Sequence, residues 1–273
     1  MASQLVPFIN VNDCNFYYEI TGHGPDLVFI HGEIHGIEYW EHQISEFSKD
    51  HRCFVYYRRG HGKTQVTDYG FSLVNQTRDL EELIDGLDIK QPIIISVAFG
   101  TTIAANYAIN HPDKVRGMVI VAWSEMYEAR KYFHRWAMYN KKAVEILESE
   151  GKEKFLSYLR NEGGKTAYMV IPVDSPIREK CIQMFANHPL EEYKRGMLEL
   201  GSSVPDLVPQ FRKLEIPVLG ICGEKDPYMD RPEVLAGMKN FKEAKPVPGA
   251  SRFVQWDHPN EFNKLVRDFI SFI

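Results

Sequence analysis

No apolar run in this 273-residue chain approaches the roughly 20 residues that span a bilayer, so no transmembrane helix is expected. Basic residues are not in excess: 32 Lys and Arg face 37 Asp and Glu, a net charge of −5, which leaves no electrostatic footprint for nucleic acid. Cysteine is scarce. Cys14, Cys53, Cys181 and Cys222 are widely spaced and in no metal-ligand pattern. Cys14, Cys53 and Cys222 lie in strand-like runs and read as buried free thiols, which points to a reduced, cytoplasmic setting. The stretch from Met1 to Pro7 lacks the basic and then apolar segments of a secretory signal. There is no internal repeat, no low-complexity segment and no dinucleotide-binding glycine pattern, and no cofactor or metal is inferred.

What is present is a composition of 44% hydrophobic and 25% charged residues, as in a soluble globular protein with a large core. Phe8–Val11 and Cys14–Thr21 flank Asn12-Asp13 and predict a hairpin. Short apolar runs follow at Leu27–Ile30, Arg52–Tyr57, Pro92–Ile95, Val115–Val121 and Ile216–Ile221, with a weak last strand at Ala244–Val247. Between them, helical spacing appears at Glu38–Ser48, Leu73–Leu87, Phe99–Asn110 and Glu261–Phe272. Short apolar strands alternating with helices predict a mainly parallel sheet of about eight strands, covered on both faces. From about residue 124 to 209 the alternation stops. That stretch predicts a helical cap (124–209) inserted into a core made of 1–123 and 210–273.

Several short motifs sit at strand ends. His31-Gly32-Glu33 follows the third strand, and Arg59-Gly-His-Gly-Lys-Thr the fourth. Ser96-Val-Ala-Phe-Gly occupies a strand-to-helix turn, Gly223-Glu-Lys-Asp-Pro follows a late strand, and Pro248-Gly-Ala-Ser-Arg-Phe and Asp257-His-Pro-Asn-Glu-Phe close the series. In this order the chain resembles the α/β-hydrolase superfamily, in the branch holding esterases, lactonases, haloperoxidases and carbon–carbon bond hydrolases. The resemblance implies a nucleophile elbow at Ala98 and an acid at Asp226. Arg252 then stands where a histidine would be expected. Alanine has no atom that attacks a carbonyl, and arginine has five donors and no acceptor, so it cannot act as a general base near neutral pH.

The same resemblance assigns an oxyanion hole to the main-chain N–H groups of Glu33 and Phe99. Glu33 and His35 lie in the loop that converges on Ala98, and a carboxylate and an imidazole there could share acid–base work without a covalent intermediate. They also read as ordinary residues of a solvent-facing loop. Arg252 either clamps an anion or forks onto Asp226 as a neutral pair. Trp123, Tyr127 and Trp136, with Tyr132, Phe133 and Tyr139, are candidates to line a ligand pocket or to pack between cap and core. His31 and His61 read as structural hydrogen-bonders, Arg58 and Arg59 as ties for the fourth-strand loop, and His258 as a remote surrogate base.

The first expectation is therefore an atypical enzyme with Glu33, His35 and Asp226 as working groups, acting on a small carbonyl or carboxylate compound. A protein that binds a ligand or partner without turnover is the second, and a serine hydrolase carrying an inactivating alanine at 98 the third. The expected partner is a small molecule, with neither nucleic acid nor membrane, and a homodimer is left open.

Overall fold

Apolar strand runs become the centre of one sheet because both of their faces must be covered. The computed structural model describes residues 7–161, 173–226, 231–243 and 245–273, with the side chains of 130–136 and 197 outside the described set. The strands are β1 (Phe8–Val11), β2 (Cys14–Thr21), β3 (Asp26–Ile30), β4 (Arg52–Tyr56), β5 (Ile93–Val97), β6 (Gly117–Val121), β7 (Val218–Ile221) and β8 (Phe241–Glu243). They form one eight-stranded sheet in the order β1-β2-β4-β3-β5-β6-β7-β8. β1 and β2 pair antiparallel, as do β2 and β4; every other pairing is parallel. Every residue of β5, β6 and β7 is buried, as a doubly covered parallel sheet requires.

The last strand differs from the expectation. β8 is Phe241-Lys-Glu, an edge strand whose charges hide it from an apolar pattern, and Val247 makes only an isolated bridge with Gly223. Ala244 lies outside the described residues.

Helices α1 (Glu41–Phe47), α2 (Leu73–Gly86) and α3 (Phe99–Asn110) alternate with the strands, and α9 (Val254–Asp257) and α10 (Pro259–Phe272) close the chain. Ser72 caps α2 by accepting the Asn75 N–H at 3.4 Å. α10 buries Phe262, Val266 and Phe269 along one stripe. Between β6 and β7 the described residues are helical: α4 (Glu125–Ser149), α5 (Lys152–Asn161), α6 (Arg178–Asn187), a π-helical turn (Glu192–Gly196), α7 (Met197–Ser203) and α8 (Val208–Phe211). Among the described residues no helix is long and apolar enough to cross a membrane.

α3 runs through the middle of the molecule, buried from Phe99 to Ala105, which lets it lie close to the β3 loop. Gly100 is the point of closest approach. A methyl group there would fall 2.5 Å from the Ile30 carbonyl oxygen and 2.6 Å from that of His31. Gly100→Ala is therefore expected to destabilise the protein by roughly 1–3 kcal/mol, read as a lower urea midpoint at unchanged slope, because the β3 loop must shift to admit the methyl.

Candidate functional site

The turn between β5 and α3 is built as a strained elbow. Ala98 has φ 52° and ψ −127°, a conformation that costs a non-glycine residue about 1–3 kcal/mol. It is held there by main-chain bonds: its N–H donates to the Val121 carbonyl at 2.9 Å, and its own carbonyl accepts the Thr101 N–H at 2.8 Å. Ser96, two residues earlier in β5, is fully buried, and its hydroxyl faces the Val119 carbonyl at 3.4 Å. Phe99 opens α3, where main-chain N–H groups and the helix dipole present positive charge.

Glu33 and His35 are both buried, at 7% and 8% exposure, which rules out the solvent-facing reading of their loop. The backbone between them turns through Ile34 at φ 59° and sends the two side chains to different neighbours. His35 goes to the elbow. A methyl built on Gly32 would lie 3.1 Å from Ala98 Cβ and 3.3 Å from His35 Nδ1, so the imidazole and Ala98 border one space. The ring stacks on Tyr39 at 4.0 Å and meets the edge of Phe253 at 4.9 Å. Neither ring nitrogen has a hydrogen-bond partner among the described residues. Burial, and then the neighbouring imidazoles and guanidiniums, push its pKa well below 6.5, so the ring is neutral.

Glu33 goes to a second polar cluster. Its Oε2 accepts from Arg58 Nη2 at 2.9 Å, and its Oε1 is 3.7 Å from His61 Nε2. Gln76 of α2 holds the same guanidinium, accepting at 2.8 and 3.0 Å. Burial raises the Glu33 carboxyl well above the usual carboxylate range, with Arg58 opposing. His188 and Glu192, from the helical segment between β6 and β7, complete the cluster with an Nε2–Oε2 contact of 2.5 Å.

Arg252 is bound on both sides. Its Nη1 donates to Asp226 Oδ2 at 3.1 Å, and its Nη2 to both oxygens of Glu125 at 2.8 Å. Ser124 Oγ accepts from the same Nη2 at 3.2 Å. The guanidinium is 4% exposed and thus takes the paired arrangement, with a second carboxylate that the sequence did not suggest. Burial raises the Glu125 carboxyl, against the pull of Arg252.

The remaining candidates scatter. Trp123 has no exposed surface and packs against Gly220 and Phe241, on β7 and β8. Tyr127 is half-buried, with the Arg231 guanidinium 5.1 Å from its ring centre. The Trp136, Tyr132 and Phe133 side chains lie outside the described residues. His31 accepts the Arg58 N–H at 2.9 Å, and its Nδ1 lies 2.7 Å from the Gly32 carbonyl oxygen. Arg59 forks onto Asp79 at 2.7 and 3.0 Å. His258 contacts Asp257 at 3.1 Å. Glu125, His188 and Glu192 carried no signal in the chain: each is one polar residue in a helical stretch rich in them, and only the fold brings it to the strand ends.

The family model described as the alpha/beta hydrolase fold matches residues 25–259. Epoxide hydrolase 1 of Caenorhabditis elegans is 23% identical over 97% of this chain and 70% of its own length. A putative 2-succinyl-6-hydroxy-2,4-cyclohexadiene-1-carboxylate synthase of Bacillus subtilis is 24% identical over 94% of this chain and 95% of its own. Among solved structures, the enol-lactonase from Burkholderia xenovorans superposes with a TM-score of 0.75 at 19% identity, covering 97% of this chain and all of that one.

The Arg252 arrangement carries its own test. Arg252→Gln strands two buried carboxylates and is expected to cost roughly 3–5 kcal/mol in urea unfolding. The triple variant Arg252→Gln, Asp226→Asn, Glu125→Gln, which removes all three charges, should recover most of that loss. Equal instability of the single and triple variants would show that the charges are not the cause.

Proposed function

The chain belongs to the α/β-hydrolase fold family, and on that premise we propose that it acts on a small carbonyl or carboxylate compound by acid–base chemistry, without a covalent intermediate. The observation that carries this reading is His35, a buried, neutral imidazole with two unpartnered nitrogens beside Ala98. A neutral imidazole held by stacking has its lone pair available, and the alanine methyl leaves room for substrate or water where a hydroxyl would project. In this role His35 takes a proton from substrate or water. The N–H groups of Phe99 and Glu33 then face the developing oxyanion, and the first turn of α3 adds its dipole. Arg252 positions the Asp226 loop and does not exchange protons.

A second reading, binding without turnover, is favoured by one feature: Arg252 fills the space between Asp226 and Glu125 with a satisfied pair, leaving no base there.

The readings separate on a panel of lactones, epoxides and β-dicarbonyl compounds. Short-chain nitrophenyl esters should give no burst and at most the roughly 10³–10⁴-fold acceleration over water left by binding and oxyanion donors alone. A burst would reveal a nucleophile elsewhere.

For the true substrate, His35→Gln should lower turnover by at least about 10²-fold. The pH profile adds the sign. A base with a depressed pKa stays unprotonated as pH falls through 6.5, so the acid limb of kcat/KM should lie below pH 6.5. Parent-like turnover in His35→Gln would sink the catalytic role, and tight binding with no turnover across the panel would leave the binding reading.

A further inference from the structure

We propose that His61, His188 and Glu192, with the Glu33 carboxylate as fourth donor, form a binding site for a first-row divalent cation, for which zinc is the representative ion. The donor atoms of His61, His188 and Glu192 all lie within 4.8 Å of one another. Glu33 Oε1 is 3.7 Å from His61 Nε2. Tetrahedral zinc, with bonds of about 2.1 Å, places its donors about 3.4 Å apart, so these three donors need to close by up to about 1.4 Å. Two imidazoles and carboxylates without a thiolate are a donor set for zinc, iron, cobalt or nickel.

The surroundings are those of a built site. His61 Nδ1 lies 2.9 Å from the Arg59 carbonyl oxygen, which fixes Nε2 as the lone-pair nitrogen. That lone pair receives a long 3.3 Å contact from the Ile34 N–H, which a cation would displace. The second oxygen of Glu33 is held by Arg58. Glu33 Oε1 and Glu192 Oε1 are buried without a hydrogen-bond donor among the described residues. Glu192 begins the π-helical turn, an irregularity common at functional sites. A methyl on Gly196 would overlap the Glu192 carboxyl group, so this glycine is what allows the carboxylate to fold back against its own helix. A groove of about 140 Å³, lined by His188, Pro189, Gly62 and His35, lies beside the cluster.

Charge gives the reason for a cation. Arg58 donates to Glu33 at 2.9 Å and so balances one of two buried carboxylates. Among the described residues the fully buried Glu192 carboxylate has only the His188 imidazole within ion-pair distance. A divalent ion here would balance the second carboxylate. The two imidazoles and two carboxylates would donate lone pairs to the ion, and no electron is transferred.

The test is calorimetric titration of the chelator-treated protein with zinc at pH 7. One ion should bind per chain, saturably. His188→Gln and Glu192→Gln should each weaken binding by at least about 100-fold. Gly196→Ala removes no ligand and suits a helix, yet it displaces the Glu192 carboxylate and should weaken binding at least about tenfold. No saturable binding by the parent would overturn the site. So would parent-like affinity in the His188 and Glu192 variants, or in Gly196→Ala should those two fail to fold.

Discussion

A buried guanidinium between two carboxylates sets the geometry of the strand ends. Arg252 reaches Asp226, just after β7, and Glu125, at the start of α4 just after β6, from the loop before α9. At an effective dielectric near 20, each contact is worth roughly 5 kcal/mol of Coulomb energy, and removing the three charges from water costs several kcal/mol for each. The net gain is small. The penalty for disturbing it is large, because any partner left alone is an uncompensated charge in the interior. The arrangement therefore acts as a constraint more than as a source of stability: it fixes where three loops must be, including the Phe253 ring that borders His35.

A second guanidinium, Arg58, plays the opposite part. Its Nη2 serves Glu33 and Gln76, while its Nη1 is buried without a partner among the described residues. Around it, carboxylate oxygens also lack donors. Buried polar groups are normally satisfied, so a cluster that leaves several open is arranged for something other than packing. The strand ends thus hold a closed polar knot at Arg252 and an open one at Arg58. His35 borders the elbow while sensing charge from both.

Much of this was legible in the chain. β5, with Ile93-Ile-Ile, and β6 announced themselves because a doubly covered strand cannot afford charge. The turn after β5 was legible because Ala98 and Gly100 sit where a strained φ and a close approach are needed. The pair of Arg252 with Asp226 was one of two arrangements its donors allowed. What stayed hidden depends on long-range assembly. β8 is an edge strand of Phe-Lys-Glu that gains its identity only by pairing with β7. Glu125 looks like any acidic residue in a helical first turn, where it would suit the dipole. His188 and Glu192 meet Glu33 only because the segment between β6 and β7 folds back over the β3 loop, and no local period encodes that.

The elbow and the Arg252 knot together impose an order on sequence change. Ala98 already holds the backbone of a presented side chain, so a serine there meets a prepared φ and needs little else to be accommodated. A histidine at 252 is different, because it arrives between Asp226 and Glu125 and satisfies at most part of what the guanidinium satisfies. Position 252 is thus coupled to Glu125, which would be left with an uncompensated charge, whereas position 98 carries no such partner. A change at the elbow is therefore a local matter, whereas a change at 252 is tied to a residue on another loop.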